Sequence, residues 1–205
     1  HRAGLPSVLI DSAGPAVESV TQDNFGGALL AVRHLLGRGH ERIACVTYEA
    51  LPGSELVHAD ERLGGYLAAM SRAGARLRPE WIFESRPGNL PGRRLAAACG
   101  RPDGPTAAVI LWSEALDDVA GALGAADLEV ELCAWWGGIP EAREGWNSRH
   151  PGLPVPAGVV WSTADLCRLA LERLEAIREN PGAAPRRTLV PLTLLPGEGC
   201  TIGRC

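Results

Sequence analysis

Two side chains suited to ligand binding stand one helical turn apart near residue 60. His58 and Arg62 are separated by four residues at the start of a predicted helix, so both side chains should share one face and could point into the same cleft. The planar guanidinium of arginine suits hydroxyl-rich, carboxylate or phosphate ligands. The alternative is a surface ion pair of Arg62 with Asp60, Glu61 or another neighbour. The spacing indicates a candidate binding pair and leaves that alternative open.

Tryptophan is unusually frequent in this chain. The sequence contains six tryptophans, against two tyrosines and two phenylalanines. Trp112, Trp136 and Trp161 each fall at or just after the end of a predicted apolar strand. Indole faces stack on sugars and on flat heterocycles, which makes the three candidate ligand contacts. For each of them taken singly, the alternative is that it fills the core.

Catalytic motifs are missing from the sequence. No G-x-G-x-x-G follows a predicted strand, no G-x-S-x-G occurs, and the absence of lysine excludes a phosphate-binding loop that ends in Lys. His34 and His40 flank a helix end, where capping or packing is the expected role. Glu141 and Glu144 accompany Arg143 in a polar segment that we expect to be solvated. The sequence therefore predicts neither a catalytic residue nor a cofactor.

The cysteines and the overall charge limit the class of protein further. The six cysteines show no C-x-x-C and no metal-ligand spacing, so no metal site is predicted. Cys45, Cys133 and Cys167 lie in apolar segments and should be buried thiols. The wide spacing of the six cysteines favours a reducing cytoplasm. A net charge of −4 argues against a polyanion-binding chain. Neither a signal segment nor a membrane-spanning run is visible.

Helix and strand signals alternate along the whole chain, which predicts βαβ units and a parallel, doubly wound α/β sheet. Ligands of such sheets bind beyond the carboxyl ends of the strands, where the three tryptophans fall. Strands are predicted at 8–10, 43–48, 81–83, 107–111, 130–135, 158–161 and 188–195, and helices at 24–37, 59–73, 93–99, 113–126 and 163–178.

Five segments together resemble the effector-binding domain of LacI/GalR-family transcription regulators. They are VTQDNFGGALLAVRHLLGRGHERIACV, ADERLGGYLAAMSRAG, PTAAVILW, GGIP and LVPLTLLP, in this order along nearly the whole chain. Two patterns within them are the most specific, namely D-N-x-x-G-A followed by H-L and G-H-x-R-I-A, and R-x-x-G-Y.

The resemblance implies the type I periplasmic-binding-protein fold, with two doubly wound parallel-sheet lobes, three crossovers and a ligand cleft between the lobes. It implies that the chain crosses to the second lobe at Gly37 and Gly39, which would form a hinge. The expected lobes are a partial N-terminal lobe of residues 1–37 and a C-terminal lobe of 38–158. Residues 159–186 would return to the first lobe and 187–205 would close the second. The first lobe is expected to be incomplete in this chain.

The resemblance also assigns roles to cleft residues. Arg62 matches the arginine that holds ligand hydroxyls or carboxylate, Asp23 matches a polar contact from the first lobe, and His58 matches a small hydroxyl residue. The family's Asn-Asp pair after P-T-A is replaced by Trp112-Ser113, and its G-F-D is replaced by Trp135-Trp136-Gly137. We therefore expect a ligand less polar than a simple hexose, or a cleft partly filled by tryptophan.

The function implied is that of a cytoplasmic sensor of a small effector, a sugar, nucleoside or aromatic metabolite. Effector binding would act through a homodimer on operator DNA, which a separate helix-turn-helix head, missing from this chain, would contact. No membrane partner is expected. One alternative is the solute-binding protein of a sugar transporter, and another is a small α/β hydrolase or transferase, for which no nucleophile, base and acid can be assembled.

Overall fold

The alternation of strands and helices is confirmed in a computed structural model, which describes residues 5–14, 16–48, 57–86, 88–138 and 141–197. The strands are β1 (Val8–Ile10), β2 (Glu18–Gln22), β3 (Ile43–Tyr48), β4 (Ile82–Ser85), β5 (Ala107–Ile110), β6 (Glu131–Gly137), β7 (Ala157–Val160), β8 (Arg187–Val190) and β9 (Thr193–Leu195). The helices are α1 (Asn24–Gly37), α2 (Val57–Arg72), α3 (Gly92–Cys99), α4 (Leu116–Ala125), α5 (Glu141–Glu144), α6 (Trp146–Arg149) and α7 (Thr163–Glu179).

The chain divides into two compact units. The described residues up to Asp23 and the segment Trp161–Leu192 form the first unit, whereas Asn24–Val160 and the described residues from Thr193 onward form the second. The first unit contains a parallel sheet in the order β1-β2-β8, packed against α7. Its small core consists of Val20, Leu166, Ala170 and Val190.

The second unit is built on a six-stranded sheet in the order β4-β3-β5-β6-β7-β9, in which only β9 runs antiparallel to its neighbour. Side chains of a strand alternate between the two faces of a sheet. One face, which includes Val46, Ile110 and Trp136, packs against α3 and α4. Helices α1 and α2 pack on each other, and they contact the strands of the same sheet. The parallel α/β architecture is the one expected from the sequence.

The first crossing between the units differs from the prediction. Helix α1 buries Ala28, Ala31, Val32 and Leu35 and contacts α2, β6 and β7, so it belongs to the second unit. The chain therefore leaves the first unit between Asp23 and Asn24 rather than at Gly37–Gly39. The assignment of residues 24–37 to the first lobe is wrong because the apolar face of α1 is buried by the second unit.

The glycine joint at the end of α1 is a helix C-terminal turn inside the second unit. Gly39 has a φ of 91°, Gly39 N donates to Leu36 O over 2.9 Å, and His40 N donates to Leu35 O over 3.2 Å. This is the Schellman pattern, which satisfies the last carbonyls of a helix and needs a left-handed residue. Gly39 thus turns the chain directly from α1 toward β3.

The later crossings are also displaced from the predicted boundaries. The return to the first unit lies between Val160 and Trp161, and the last crossing lies between Leu192 and Thr193. Strand β8 pairs with β2 and therefore belongs to the first unit, although the sequence analysis placed residues 187–205 in the second lobe. Strand β9 pairs with β7 in the second unit, and residues 198–205 lie outside the described ranges.

Candidate functional site

The carboxyl edge of the second unit's sheet carries a group of aromatic rings. Tyr48 ends β3, and Trp112 lies two residues beyond the end of β5. Their ring centroids are 4.2 Å apart with 28° between the planes. The His58 ring, near the start of α2, is parallel to Trp112 within 7° at a centroid distance of 6.5 Å. Two of the predicted ligand contacts, His58 and Trp112, therefore lie together.

Arg62 belongs to the same group and is held rigidly. Its side chain is buried, with 6% of the residue surface exposed. Arg62 Nε donates to Asn24 Oδ1 and a terminal nitrogen donates to Leu111 O, each over 2.8 Å. The guanidinium carbon lies 4.0 Å from the centroid of the Trp135 ring. These contacts exclude the alternative of a solvated surface pair and fix the cation at the strand edge.

Two adjacent tryptophans of β6 have different environments, since they point to opposite faces of the sheet. Trp135 lies under the Arg62 guanidinium. Trp136 is 3% exposed, donates from Nε1 to Pro156 O over 3.2 Å, and packs edge-on against Trp146. The prediction of Trp136 as a ligand contact is therefore replaced by a core role. Trp135, which was not among the predicted site residues, is the indole that contacts Arg62.

Gly158 explains how Trp136 fits into that core. A Cβ placed on Gly158 would lie 2.6 Å from Trp136 Cδ1 and 2.3 Å from Ala134 O, both well inside van der Waals contact. Glycine at this position of β7 leaves the space that the indole needs beside the neighbouring strand. The missing side chain at Gly158 therefore allows the Trp136 ring to pack beside β7.

Asp23 and Trp161, the remaining predicted contacts, lie in the first unit. Asp23 is half-buried at the end of β2, and its backbone nitrogen donates to Val190 O over 2.8 Å. Trp161 is half-buried and packs against the small core of that unit. Their roles as ligand contacts stay predictions.

The thiols and acidic groups form no metal-binding cluster within the described ranges. There, no three His, Cys, Asp or Glu side chains cluster in a way that could hold a metal ion. Burial raises the pKa of the Cys45 and Cys133 thiols far above the ordinary range and keeps both neutral. Cys167 is exposed, contrary to the prediction, because it lies on the outer side of α7.

No helix in the described part of the chain combines the length and apolar character needed to cross a bilayer.

Known proteins resemble both the sequence and the fold. The profile of the family described as periplasmic binding proteins and sugar binding domain of the LacI family matches residues 1–129. The protein named "Probable opine utilization operon repressor" of Rhizobium rhizogenes is 31% identical over 187 residues, covering 84% of this chain and 88% of that protein. The HTH-type transcriptional repressor PurR of Aliivibrio salmonicida is 33% identical over 82 residues, covering 39% of this chain and only 23% of the repressor.

A solved structure supports the same relationship. The crystal structure of a LacI family transcriptional regulator from Mycobacterium smegmatis matches with a TM-score of 0.69 and 25% identity, over 96% of this chain and 70% of that one. The family profile covers more than half of this chain, and the opine-operon repressor aligns with most of it. The chain therefore belongs to the family of periplasmic binding proteins and LacI-family sugar-binding domains, as an effector-binding domain of the LacI/GalR type.

Proposed function

We propose that this effector-binding domain senses a small, flat molecule less polar than a hexose, through Arg62, His58 and Trp112. The observation that carries the proposal is the joint position of a buried arginine and two parallel rings at the carboxyl edge of one sheet. Ligands of parallel α/β sheets bind at this edge. Of the expected classes of sugar, nucleoside and aromatic metabolite, the last two fit this description. The name of the similar opine-operon repressor makes opines a further class to test.

The arrangement of the rings favours a planar ligand. The rings of His58 and Trp112 are parallel within 7° at a centroid distance of 6.5 Å, so both present their faces in the same orientation. Tyr48 covers the Trp112 ring at 4.2 Å and limits its rotation. A flat ring that contacts this pair gains stacking energy, and Arg62 would supply directional N–H donors to its polar edge.

The arginine is suited to ligand binding because its position is set in advance. Asn24 and the Leu111 carbonyl accept its hydrogen bonds, and Trp135 supports its plane. A side chain that is already ordered loses little conformational entropy when a ligand arrives.

The role in the whole protein is part of the same proposal. Effector binding in this domain would change the affinity of a separate helix-turn-helix head for operator DNA, within a homodimer in the cytoplasm. The relatives named above are described as transcription repressors, which supports regulation over catalysis and over solute transport. Coupling of this kind is typically about 1–3 kcal/mol between the two sites.

A binding screen with matched histidine variants tests the proposed site. The chain is titrated calorimetrically and by thermal unfolding with ribose, glucose, adenosine, octopine and an aromatic acid. A ligand at 100 times its Kd stabilises the folded state by about 2.7 kcal/mol, which raises Tm by roughly 5–11 °C for a domain of this size.

The control uses a second histidine that also contacts a tryptophan. The His150 ring lies 4.2 Å from Trp146, which is in the core of the second unit. We expect His58→Ala to weaken effector binding at least tenfold and His150→Ala to change it less than twofold. Equal effects of the two variants, or an effect of His150→Ala alone, would contradict the proposed site.

A further inference from the structure

A cavity of about 280 Å³ lies in the second unit at the opposite end of the sheet from Trp112. It adjoins Glu131 and Ala157, which begin β6 and β7, and it extends to the last turns of α1 and α4. Because these strands are parallel, their amino ends lie at the sheet edge away from the aromatic group. Its apolar lining includes Leu123, Leu128, Leu132, Trp146, Leu153 and Val155.

One end of the cavity is polar, and its charges are already compensated. Arg38 forms an ion pair with Glu131, and His40 Nε2 lies 2.9 Å from the other carboxylate oxygen of Glu131. Burial, the largest cause, lowers the pKa of His34, although the Glu131 charge acts in the opposite direction. The His34 imidazole is therefore neutral at pH 7 and offers one donor and one acceptor.

The shape and chemistry of this cavity match those of small-molecule sites, which are concave, mainly apolar and equipped with a few polar groups. An apolar protein cavity of about 150 Å³ is large enough for benzene. The larger volume here fits a second fused ring. A charged ligand would be desolvated without a counter-ion, because Arg38 and Glu131 neutralise each other.

We propose that this cavity is a second ligand site of the domain, which takes a neutral, planar, two-ring molecule with one hydrogen-bonding group beside His34. Indole is the probe of choice, since its rings match the apolar walls and its N–H matches the imidazole acceptor. This site is separate from the proposed effector site at the carboxyl edge.

Two glycines on α4 provide a matched test. Gly124 lines the cavity, and a Cβ added there would meet no heavy atom within 4 Å, so a larger side chain can extend into the space. Gly121, one turn earlier, is equally unobstructed but lines a separate groove together with Ala97 and Ala122. Gly124→Leu should fill the cavity, whereas Gly121→Leu makes the same change in helix propensity outside it.

Indole binding to the chain is measured by calorimetry and by intermolecular nuclear Overhauser effects to leucine methyl groups. We expect contacts from indole to Leu123 and Leu153, which line only the cavity, at least a tenfold loss of affinity in Gly124→Leu, and less than a twofold change in Gly121→Leu. His58→Ala, which tests the other site, should leave indole binding unchanged.

Several outcomes would overturn the proposal. Absence of indole binding at millimolar concentration would do so, as would equal affinities of the two leucine variants for indole. Loss of binding in His58→Ala would place indole at the carboxyl edge instead. If Gly124→Leu does not fold, the nuclear Overhauser effects between indole and leucine methyl groups of the parent chain test the proposal instead. Effects confined to residues outside the cavity would refute the second site.

Discussion

The guanidinium carbon of Arg62 lies 4.0 Å from the centroid of the Trp135 ring, so a helix residue and a strand residue form one cation–π pair at the sheet edge. Arg62 is also tied to Asn24 at the start of α1 and to Leu111 beyond β5. A single side chain thereby connects two helices and two strands of the second unit.

Arg62→Ala should therefore lower stability as well as ligand binding. The change leaves Asn24 Oδ1 and the Leu111 carbonyl without their donor, and hydrogen bonds to charged groups contribute about 1.5–3 kcal/mol each. We expect the free energy of unfolding in urea to fall by about 3 kcal/mol. Arg93→Ala, at an exposed position of α3, serves as control and should stay within about 0.5 kcal/mol of the parent. Equal stability of the two variants would refute the anchoring role.

Replacing Gly65 should disturb the contact between α1 and α2. A Cβ on Gly65 would lie 2.4 Å from Phe25 O and 2.9 Å from Ala28 Cβ, so the helices would have to separate. At Gly64 the nearest atom would be 3.6 Å away, an ordinary contact. We expect Gly65→Ala to destabilise the fold by about 1–3 kcal/mol and Gly64→Ala to stabilise it by up to about 1 kcal/mol. Thermal unfolding of both variants checks this, and the reverse order would contradict the helix packing.

Trp136→Phe should separate core packing from ligand binding. Loss of the hydrogen bond to Pro156 O leaves that buried carbonyl unsatisfied, which costs about 1–3 kcal/mol of stability. Effector affinity should remain within twofold of the parent, whereas Trp112→Phe should weaken it severalfold. Calorimetric titration of both variants with the effector found in the screen measures the difference. A large affinity loss in Trp136→Phe would restore its original assignment as a ligand contact.

Glu18 should make the stability of the first unit dependent on pH in the acidic range. Burial alone would raise the pKa of this carboxyl, but hydrogen bonds from Arg173 and from the Arg186 backbone outweigh it and hold the pKa below its ordinary value of 4.5. A depressed pKa in the folded state contributes stability above the unfolded pKa, and this contribution is lost as pH falls through the folded pKa.

Urea unfolding of the parent and of Glu18→Gln between pH 7 and pH 3 measures this contribution. The parent should lose stability steadily below about pH 4.5, whereas the variant should be less stable at pH 7 and show a shallower decline. Parallel pH profiles of the two proteins would show that Glu18 is not responsible.

Part of the candidate site could be read from spacing alone. The four-residue separation of His58 and Arg62 correctly places them on one face of α2, and the position of Trp112 beyond β5 correctly places it at the carboxyl edge. Both inferences depend on local periodicity and on the direction of a parallel strand. Neither needs knowledge of which distant elements are neighbours.

Strand β2 was not predicted, because its residues E-S-V-T-Q look like a polar loop. All five are buried, since β2 is the central strand between β1 and β8 and α7 packs against it. Glu18 is accommodated there through Arg173, which lies 155 residues away in the chain. The polar segment can be a central strand because residues far away in the chain pair with it and satisfy its buried charge.

The sequence by itself determined the alternating α/β pattern, the end of α1 at Gly37 and the family, because periodicity, helix-end signals and motif order are properties of neighbouring residues. Tertiary structure decided that α1 packs in the second unit, that Trp135 rather than Trp136 supports Arg62, and that a cavity lies at the amino ends of β6 and β7. Adjacent strand residues point to opposite faces, and which face a helix covers depends on contacts between segments far apart in the chain.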